Sequence, residues 1–449
     1  MFLFGVKKIM MQTISSTVRE SRAYKNKCVS AEEAIKHIKS KDKIFIHANA
    51  ANPLPLVEAL TRRADELRQV EIFELLCLGE APYAREEFRD SFRVHSLFIG
   101  SNVRDAVNTG RGDYIPVFLS EIPFLISSGQ IPLDVCLVQV SPPDAHGYCS
   151  FGVGVDCVVA ARRAAKLVIA EVNEQMPRTL GRSFVHYSKL DYIIETNRPL
   201  PELKIEPSDD VDRAIAENVA GLVEDCSTLQ MGIGSIPDAV LHLLKDKKNL
   251  GVHTEMFSDG ILELVELGVI TNDCKKILTG KTATSFVMGS KRLYDFVDNN
   301  PSVEFQTSDF INDPFIIAQN DKVVAINSAL QIDLSGQVCA DSLGTRLYSG
   351  FGGQVDFIRG AARSKGGKPI IALPSTAKDD SLSRITPFLS QGGGVVTSRA
   401  DVHYVVTEYG VAQLHGKNLR DRAKALIEVA HPNFRANLEK ESWKISWLR

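Results

Sequence analysis

The chain has 449 residues, of which 44% are hydrophobic and 24% are charged, and its formal net charge at pH 7 is -3. At roughly 100–200 residues per domain, this length predicts two or three globular domains with sizeable cores. The nearly balanced charge argues against nucleic acid or an anionic membrane surface as the main partner.

The N-terminal residues 1–11 combine a short apolar run with Lys7 and Lys8. A secretory signal places its positive charge before a longer apolar segment, so we expect an extended start codon or a poorly ordered leader here, with a mitochondrial leader as the open alternative. No stretch reaches the roughly 18 apolar residues that a membrane-spanning helix needs, and we expect a cytoplasmic protein.

The predicted strands are apolar, β-branched runs bounded by turn residues, as in sheets buried on both faces. They are residues 43–46, 135–140, 167–170, 228–231, 323–326, 369–374 and 404–407. Helices are predicted between them: residues 31–38 follow Ser30, a good N-cap, and residues 54–60 repeat apolar side chains at helical spacing. This alternation predicts an α/β fold with mostly parallel sheets.

The division into domains is predicted from residues 197–207, where three prolines and mixed charges are typical of a linker. Asp210 can then cap the first helix of a second α/β series. We predict an N-terminal domain at 1–200 and a C-terminal domain at 201–449.

The eight cysteines are scattered, and none forms a CxxC pair. Most stand in apolar strings, as Cys77 and Cys136 do, which is typical of small buried side chains. A disulfide scaffold is not expected at this length and density.

The first candidate for a functional segment is the loop of Gly232, Ile233 and Gly234. It follows the predicted strand 228–231 and precedes a helix in whose first turn Pro237 fits. Glycines there let backbone N–H groups approach an anion or a carbonyl oxygen. A tight turn without a ligand is the alternative, and neither a dinucleotide-binding loop nor a P-loop is supported by the spacing.

The second candidate is Glu255, which follows residues 250–253, a segment that can end a strand. Ligands of open α/β sheets bind beyond the carboxyl ends of the strands, so Glu255 and Asp259 would lie in that crevice. The alternatives are a solvated loop carboxylate and a helix cap. His253 is interpreted as a packed or hydrogen-bonded residue rather than a base.

The third candidate is the pair Gly352 and Gly353, which precedes a helical pattern in which Gln354 could hold a carbonyl or a carboxylate. An ordinary glycine turn explains the pair equally well. Two later segments, 375–381 with Lys378 and 392–394 with three glycines, could serve a phosphate-bearing ligand or be plain loops.

Metal and serine-hydrolase chemistry are not supported by the motifs of this chain. His403 and His415 lack the spacing of a metal site, and no clustered His and Cys residues occur. A GxSxG nucleophile elbow is also missing from the sequence.

The candidate segments occur together with residues 327–337, 407–412 and 430–432, and with residues 141–148 and 173–179 of the first half. In this ordered combination the sequence resembles the acetyl-CoA hydrolase/transferase family, and within it the 4-hydroxybutyrate and butyrate:acetate CoA-transferases. The resemblance covers nearly the whole chain after its N-terminal segment. Any one of the glycine motifs alone would be weak support.

The resemblance implies two CoA-transferase-type α/β domains with the active site between them, usually in a homodimer. It implies that Glu255 is the catalytic nucleophile. The chemistry of such a reaction then predicts that Gly352 and Gln354 position the substrate or stabilise an oxyanion. The resemblance also implies a set of residues along the CoA site: Gln230, Met231, Gly232, Ile233, Gly234, Leu330, Gly353 and Lys378. Asp379 and Asp380 stand where the family would have glycines, which is a departure near Lys378.

The function that this resemblance implies is transfer of CoA between a short-chain acyl-CoA and a free carboxylate such as acetate. A carboxylate nucleophile suits this reaction, because it can form an acyl-glutamyl anhydride and then a glutamyl-CoA thioester. No metal, ATP or permanently bound cofactor is required; acyl-CoA is the substrate.

Two alternatives remain open at this point: an acyl-CoA hydrolase on the same scaffold, and a CoA-binding protein without turnover, against which Glu255 argues. The acyl group could be 4-hydroxybutyryl, butyryl or acetyl, because an apolar pocket discriminates one methylene by only about 1–3 kcal/mol.

Overall fold

The computed structural model describes residues 18–204 and 207–448, so residues 1–11 lie outside the described residues. The chain divides into two compact units. Unit 1 is the described part of Met1–Pro116, Glu121–Leu203 and Ser285–Ser308, and unit 2 is the described part of Val117–Ser120, Lys204–Thr284 and Asp309–Arg449. The predicted domain boundary at residue 200 remains a prediction. Two segments fall on the other side of that boundary from most of their unit: Ser285–Ser308 in unit 1 and Val117–Ser120 in unit 2.

Unit 1 is built on a seven-stranded sheet in the order β4-β3-β2-β1-β5-β6-β7, in which every neighbouring pair is parallel. Its strands are β1 (Lys43–Ile46), β2 (Val70–Leu75), β3 (Phe92–Phe98), β4 (Gly112–Tyr114), β5 (Val135–Val140), β6 (Leu167–Asn173) and β7 (Tyr192–Thr196). The strand order reverses beside β1, as in doubly wound α/β folds.

The predicted strands of unit 1 are confirmed, and burial explains them. All six residues of β5 are buried, and Ile44, Phe45 and Ile46 of β1 have no exposed surface. A parallel sheet covered on both faces requires such continuous apolar runs. The described helices of this unit are Arg22–Lys25, Ala31–Ile35, Leu54–Arg62, Arg104–Asn108, Ile122–Ser127, Val158–Ala164 and Lys291–Val297.

The N-cap at Ser30 is confirmed, since its Oγ accepts a hydrogen bond of 3.1 Å from the backbone N–H of Glu33. The helix that it caps ends at Ile35 rather than at residue 38, because the chain leaves the helical path after the C-cap Lys36.

Unit 2 is built on a six-stranded sheet in the order β9-β8-β10-β11-β12-β13. Its strands are β8 (Thr228–Met231), β9 (Gly251–Val252), β10 (Val323–Ser328), β11 (Lys368–Ala372), β12 (Tyr404–Thr407) and β13 (Gly410–Gln413). All neighbours are parallel except β12 and β13, which form an antiparallel hairpin. The four strands predicted in this half of the chain are confirmed, and the fold class is α/β with mostly parallel sheets.

The described helices of unit 2 are Asp210–Ala220, Ser235–His242, Asp259–Glu266, Pro314–Ile317, Gln354–Arg363, Leu419–Glu428 and Pro432–Lys444, and Ser308–Ile311 lies where the chain passes between the units. The first of these is capped by Asp209, which forms a reciprocal capping box with Asp212. The prediction that Asp210 is the cap was wrong by one residue; Asp210 is the first residue of the helix.

Shorter strands flank the two sheets. In unit 1 Tyr148–Ser150 pairs antiparallel with Phe184–His186, and Phe286–Val287 and Val303–Phe305 are also extended. The short strands of unit 2 are Met256–Phe257, Thr282–Thr284, Gln331–Asp333, Val338–Cys339, Ser342–Leu343, Arg346–Leu347, Thr376–Ala377, Leu382–Ser383 and Ile385–Thr386. None of the helices in the described parts of the chain is both long and apolar enough to cross a membrane.

The cysteines divide into two groups. Six are in no disulfide: Cys28 is partly buried, and five are buried, as predicted for most of them, namely Cys77, Cys136, Cys149, Cys157 and Cys339. Cys226 and Cys274 of unit 2 form a disulfide across 48 residues of sequence. This pair was not predicted from the sequence, because cysteines so far apart form no spacing motif.

Candidate active site

The segments predicted for the site meet at one edge of the unit 2 sheet. β8, β9, β10 and β11 are parallel neighbours, so their carboxyl ends lie at the same edge. Residues 232–234 follow β8, Glu255 follows β9, Leu330 follows β10, and Lys378 follows β11. This is the edge at which open α/β sheets bind their ligands.

Glu255 lies at this edge with its side chain partly buried. Its Oε2 accepts a hydrogen bond of 2.8 Å from Nδ2 of Asn312, a residue with no exposed surface. A charge-assisted hydrogen bond from a buried amide orients the carboxylate. Glu255 is therefore held in place, and it is not the freely solvated loop acid that was the alternative.

Gly353 lies directly against the same carboxylate. A Cβ built on this glycine would lie 1.8 Å from Glu255 Oε2 and 2.2 Å from Asn312 Nδ2. The backbone at Gly353 has φ -97°, which any residue can adopt, so space rather than backbone conformation requires glycine here. Gly353 is also the N-cap of the helix Gln354–Arg363, whose N-terminal dipole stabilises an adjacent negative charge.

The backbone around Glu255 is fixed on both sides. The N–H of Thr254 donates to the carbonyl of Ala283 at 3.0 Å, and Thr284 Oγ1 donates to the carbonyl of Glu255 at 3.0 Å. Thr254 Oγ1 donates to the carbonyl of Met256 at 3.0 Å and lies 3.3 Å from that of Met231, the last residue before the first glycine loop. These bonds hold the position from which the carboxylate projects.

Asn312 was missed by sequence reasoning. It stands 57 residues from Glu255 in sequence, and an asparagine before Asp313 and Pro314 is equally typical of a turn or helix start. Nδ2 of this amide donates to Glu255, whereas its Oδ1 is buried and accepts no hydrogen bond from the described residues.

The first glycine loop leads from β8 into the helix Ser235–His242. Gly234 has φ +126°, a conformation that L side chains rarely adopt, and a Cβ on Gly232 would meet nothing within 4 Å. Ile233 is 43% exposed. The backbone of the loop therefore faces open space. A site at which an anion or a carbonyl oxygen approaches the backbone requires this.

Gln230 and Met231, predicted to lie along the CoA site, are almost fully buried within the sheet. Gln230 Oε1 accepts a hydrogen bond of 3.0 Å from Asn327 Nδ2 on the neighbouring strand β10. The structure thus gives Gln230 a role in joining two strands. Contact of these two residues with CoA remains a prediction.

The second glycine loop is tied down from the short segment Val117–Ser120. The N–H of Leu119 donates to the carbonyl of Gly352 at 3.0 Å, and Ser120 Oγ donates to Asp356 Oδ1 at 2.9 Å. Gly352 has φ +53°, which favours glycine. Gln354 Nε2 donates to Thr397 Oγ1 at 3.0 Å, so the predicted contact of Gln354 with a substrate would have to replace that bond.

The segment around Lys378 has an unusual backbone. Lys378, Asp379 and Asp380 all have positive φ, at 52°, 52° and 61°. Glycine adopts this region without cost, which is a physical reason to expect glycine rather than aspartate at positions 379 and 380. Lys378 is exposed, and its contact with CoA stays a prediction, as does that of Leu330, whose N–H donates to the carbonyl of Cys339 at 2.9 Å.

Two buried basic residues lie next to β9. His253 is 1% exposed, and burial, together with the nearby charge of Lys275, lowers its pKa to about 3. Burial also lowers the pKa of Lys275 to about 7, and its Nζ donates to the carbonyls of Val252 and Lys281 at 2.7 and 2.6 Å. The interpretation of His253 as a packed, hydrogen-bonded residue is confirmed.

Within residues 18–204 and 207–448, no group of three or more His, Cys, Asp or Glu side chains is arranged to hold a metal ion. The rings of His403 and His415 lie against each other at an interplanar angle of 34°, with centroids 3.9 Å apart.

Comparison with known protein families gives two matches that cover most of the chain. The acetyl-CoA hydrolase/transferase N-terminal domain matches residues 11–203, and the acetyl-CoA hydrolase/transferase C-terminal domain matches residues 289–442. Glu255 lies between the two matched ranges.

Individual relatives agree with this family. The chain is 54% identical to 4-hydroxybutyrate coenzyme A transferase of Clostridium kluyveri, over 93% of this chain and 97% of that protein. It is 49% identical to the succinyl-CoA:acetate/propanoyl-CoA:succinate CoA transferase of Fasciola hepatica, over 92% and 87% of the two chains. The crystal structure of 4-hydroxybutyrate CoA-transferase from Porphyromonas gingivalis superposes with a TM-score of 0.80 at 42% identity, covering 94% of this chain and 98% of that one.

Proposed function

Because the chain belongs to the acetyl-CoA hydrolase/transferase family, we propose that it moves coenzyme A between a short-chain acyl-CoA and a free carboxylate through a covalent intermediate on Glu255. The relatives described above share CoA-transferase activity in their names and differ in the carboxylate they use. The observation that carries the proposal is the carboxylate of Glu255, fixed by Asn312 and placed against Gly353 at the N-terminus of a helix.

The first half of the proposed reaction forms the glutamyl-CoA thioester. A carboxylate oxygen of Glu255 attacks the thioester carbonyl carbon, and CoA leaves as the thiolate, giving an acyl-glutamyl anhydride. The thiolate then attacks the glutamyl carbonyl carbon of the anhydride. The acyl group leaves as a free carboxylate, and CoA is joined to Glu255 through a thioester.

The second half reverses these steps with the acceptor. The second carboxylate attacks the glutamyl thioester and displaces CoA thiolate, which attacks the acyl carbonyl of the new anhydride. A new acyl-CoA is released and the Glu255 carboxylate is restored. Bond energy passes from thioester to anhydride to thioester, so the cycle is balanced without ATP.

Charge develops on a carbonyl oxygen in each tetrahedral intermediate of this cycle. Backbone N–H groups of the loops 232–234 and 352–353 are the proposed donors, because both loops contain glycine and one of them adjoins Glu255. One such donor typically contributes about 3–4 kcal/mol to transition-state stabilisation. The backbone of the loops is thus assigned the role of oxyanion stabiliser.

The proposed acyl groups are 4-hydroxybutyryl, butyryl and acetyl, with acetate as acceptor; the relative from Fasciola hepatica adds succinate to the acceptors worth testing. The test incubates purified protein with butyryl-CoA, with and without acetate, and follows acetyl-CoA and free CoA thiol together. Parallel reactions use 4-hydroxybutyrate or succinate with acetyl-CoA.

New acyl-CoA formed only when the acceptor is present, with little free thiol, is the expected result. Thiol released at the same rate with or without acceptor would mean a hydrolase instead. Neither product with any of these substrates would overturn the proposal and favour a CoA-binding protein.

Glu255→Ala is the matching variant. It removes the nucleophile while leaving the glycine loops, so we expect loss of transfer with acyl-CoA affinity weakened by no more than about tenfold. Near-normal turnover of this variant would disprove the covalent mechanism. The homodimer that the family resemblance implies is checked separately by light scattering of the purified protein.

A further inference from the structure

His253 lies buried behind the carboxylate of Glu255, two residues before it in the chain. Its Nε2 is 2.8 Å from the carbonyl oxygen of Ile311. A carbonyl only accepts, so Nε2 carries the proton and donates it. Burial keeps the imidazole neutral across the ordinary pH range, and Nδ1 is buried without a hydrogen-bond partner among the described residues.

The acceptor of this bond immediately precedes Asn312 in the chain. Asn312 in turn donates to Glu255 at 2.8 Å. The two hydrogen bonds and the two short chain segments close a ring: Glu255 is joined through Thr254 to His253, His253 to Ile311, and Asn312 back to Glu255. The imidazole therefore fixes the backbone from which the amide reaches the carboxylate.

A second contact connects His253 to the other neighbour of Glu255. The ring of His253 packs edge-on against Phe357, with centroids 6.2 Å apart. Phe357 lies in the first turns of the helix Gln354–Arg363, which begins at Gly353. One buried side chain thus contacts both segments that touch the carboxylate: the backbone at Ile311, which precedes Asn312, and the glycine-capped helix.

We propose that His253 is a positioning residue: its Nε2–H holds the backbone at Ile311, next to Asn312, and its ring packs against Phe357 of the helix at Gly353, and together these contacts keep the Glu255 carboxylate oriented for attack. This role rests on the proposed function of Glu255 as the nucleophile. His253 takes no proton in the reaction, because its remaining nitrogen is buried and it acts through Asn312.

The test compares two amide substitutions that differ in reach. In His253→Gln the side-chain nitrogen can occupy the place of imidazole Nε2 and donate to Ile311, whereas in His253→Asn it reaches only the place of Nδ1. We expect His253→Gln to keep kcat within about fivefold of the unchanged protein. We expect His253→Asn to lose about 100-fold in kcat with little change in KM for acyl-CoA, the effect typical of a reacting group displaced by about 1 Å.

Three readouts separate positioning from a general effect on folding. Rates are expressed per folded molecule, measured by circular dichroism and thermal unfolding of each variant. The rate at which acyl-CoA labels the peptide containing Glu255 is measured by mass spectrometry. The pH profile of kcat/KM is recorded for His253→Gln and is expected to match that of the unchanged protein.

Equal kcat of the two variants per folded molecule, or an acid limb of the pH profile that disappears in His253→Gln, would overturn the inference. The failure of the proposed function is distinguishable from these outcomes, because in that case the unchanged protein itself would not be labelled on Glu255. Labelling of the unchanged protein with unimpaired labelling of His253→Asn would refute the positioning role alone.

Discussion

Replacing Gly353 by alanine should displace the Glu255 carboxylate, and the distance by which it moves follows from the geometry of the site. The added Cβ would lie 1.8 Å from Glu255 Oε2. A carbon and an oxygen in contact normally lie about 3.3 Å apart or more, so the carboxylate must move by roughly 1.5 Å. A reacting group misplaced by about 1 Å costs on the order of 100-fold in rate, and we expect Gly353→Ala to lose at least that factor in kcat.

The matched control is Gly221→Ala, at the C-cap of the helix Asp210–Ala220. Its backbone is helical, and its added Cβ would meet atoms no closer than 3.6 Å. Both variants are assayed for acyl transfer and for thermal unfolding, since φ at Gly353 permits alanine without backbone strain. A kcat of Gly353→Ala within about threefold of the control would refute the claim that this glycine gives Glu255 its space.

Asn312→Ala removes the amide that donates to Glu255. Because a hydrogen bond to a charged group is typically worth about 1.5–3 kcal/mol, we expect kcat to fall by about 10- to 150-fold. An unchanged kcat in steady-state assays would contradict this expectation. Burial lowers the pKa of Lys275 from 10.5 to about 7. Between about pH 7 and 10.5 the folded protein therefore binds fewer protons at this residue than the unfolded protein does. The free energy of unfolding relative to Lys275→Met should therefore rise with pH in that window by up to about 1.4 kcal/mol per unit, and pH-independent urea midpoints would disprove it. Burial raises the pKa of Glu74 in unit 1 to about 7 from 4.5, so it binds more protons folded than unfolded in that range. The free energy of unfolding, measured relative to Glu74→Gln, should therefore fall as the pH rises from 4.5 to 7, by up to about 1.4 kcal/mol per pH unit. A free-energy difference that rises with pH over this range would contradict the expectation.

The parts of the fold that could be predicted were those with local signals. Continuous apolar runs such as β5 and β10 are unmistakable in sequence because both faces of a parallel sheet are covered. The position of Glu255 just beyond a strand followed from the same pattern. The helix at residues 31–38 was predicted three residues too long, because helix ends depend on how the next segment leaves the core.

The parts that could not be predicted depend on contacts between distant residues. Asn312 reaches Glu255 across 57 residues, and Cys226 reaches Cys274 across 48. The hydrogen bond between Gln230 and Asn327 likewise depends on strands β8 and β10 being neighbours in the sheet. The residues 285–308 join unit 1 although they follow the first strands of unit 2, and no composition change marks that return.

The order of the glycine motifs, rather than any one of them, was the informative signal for the site. Each loop taken alone was explained as well by an ordinary turn, and the structure shows why both contain glycine: Gly234 needs a positive φ, and Gly353 needs space beside Glu255. The second requirement arises from a side chain nearly a hundred residues away, so it had no local signature.

Chemical trapping of the intermediate on Glu255 is the sharpest experiment on the proposed covalent mechanism. The protein is incubated with acyl-CoA, treated with borohydride and digested, and the peptide containing Glu255 is examined by mass spectrometry. We expect borohydride to inactivate the enzyme only after acyl-CoA is added and to reduce the glutamyl thioester to an alcohol at residue 255 alone. Equal inactivation without acyl-CoA, or an unmodified Glu255 in protein that turns over, would contradict the covalent mechanism.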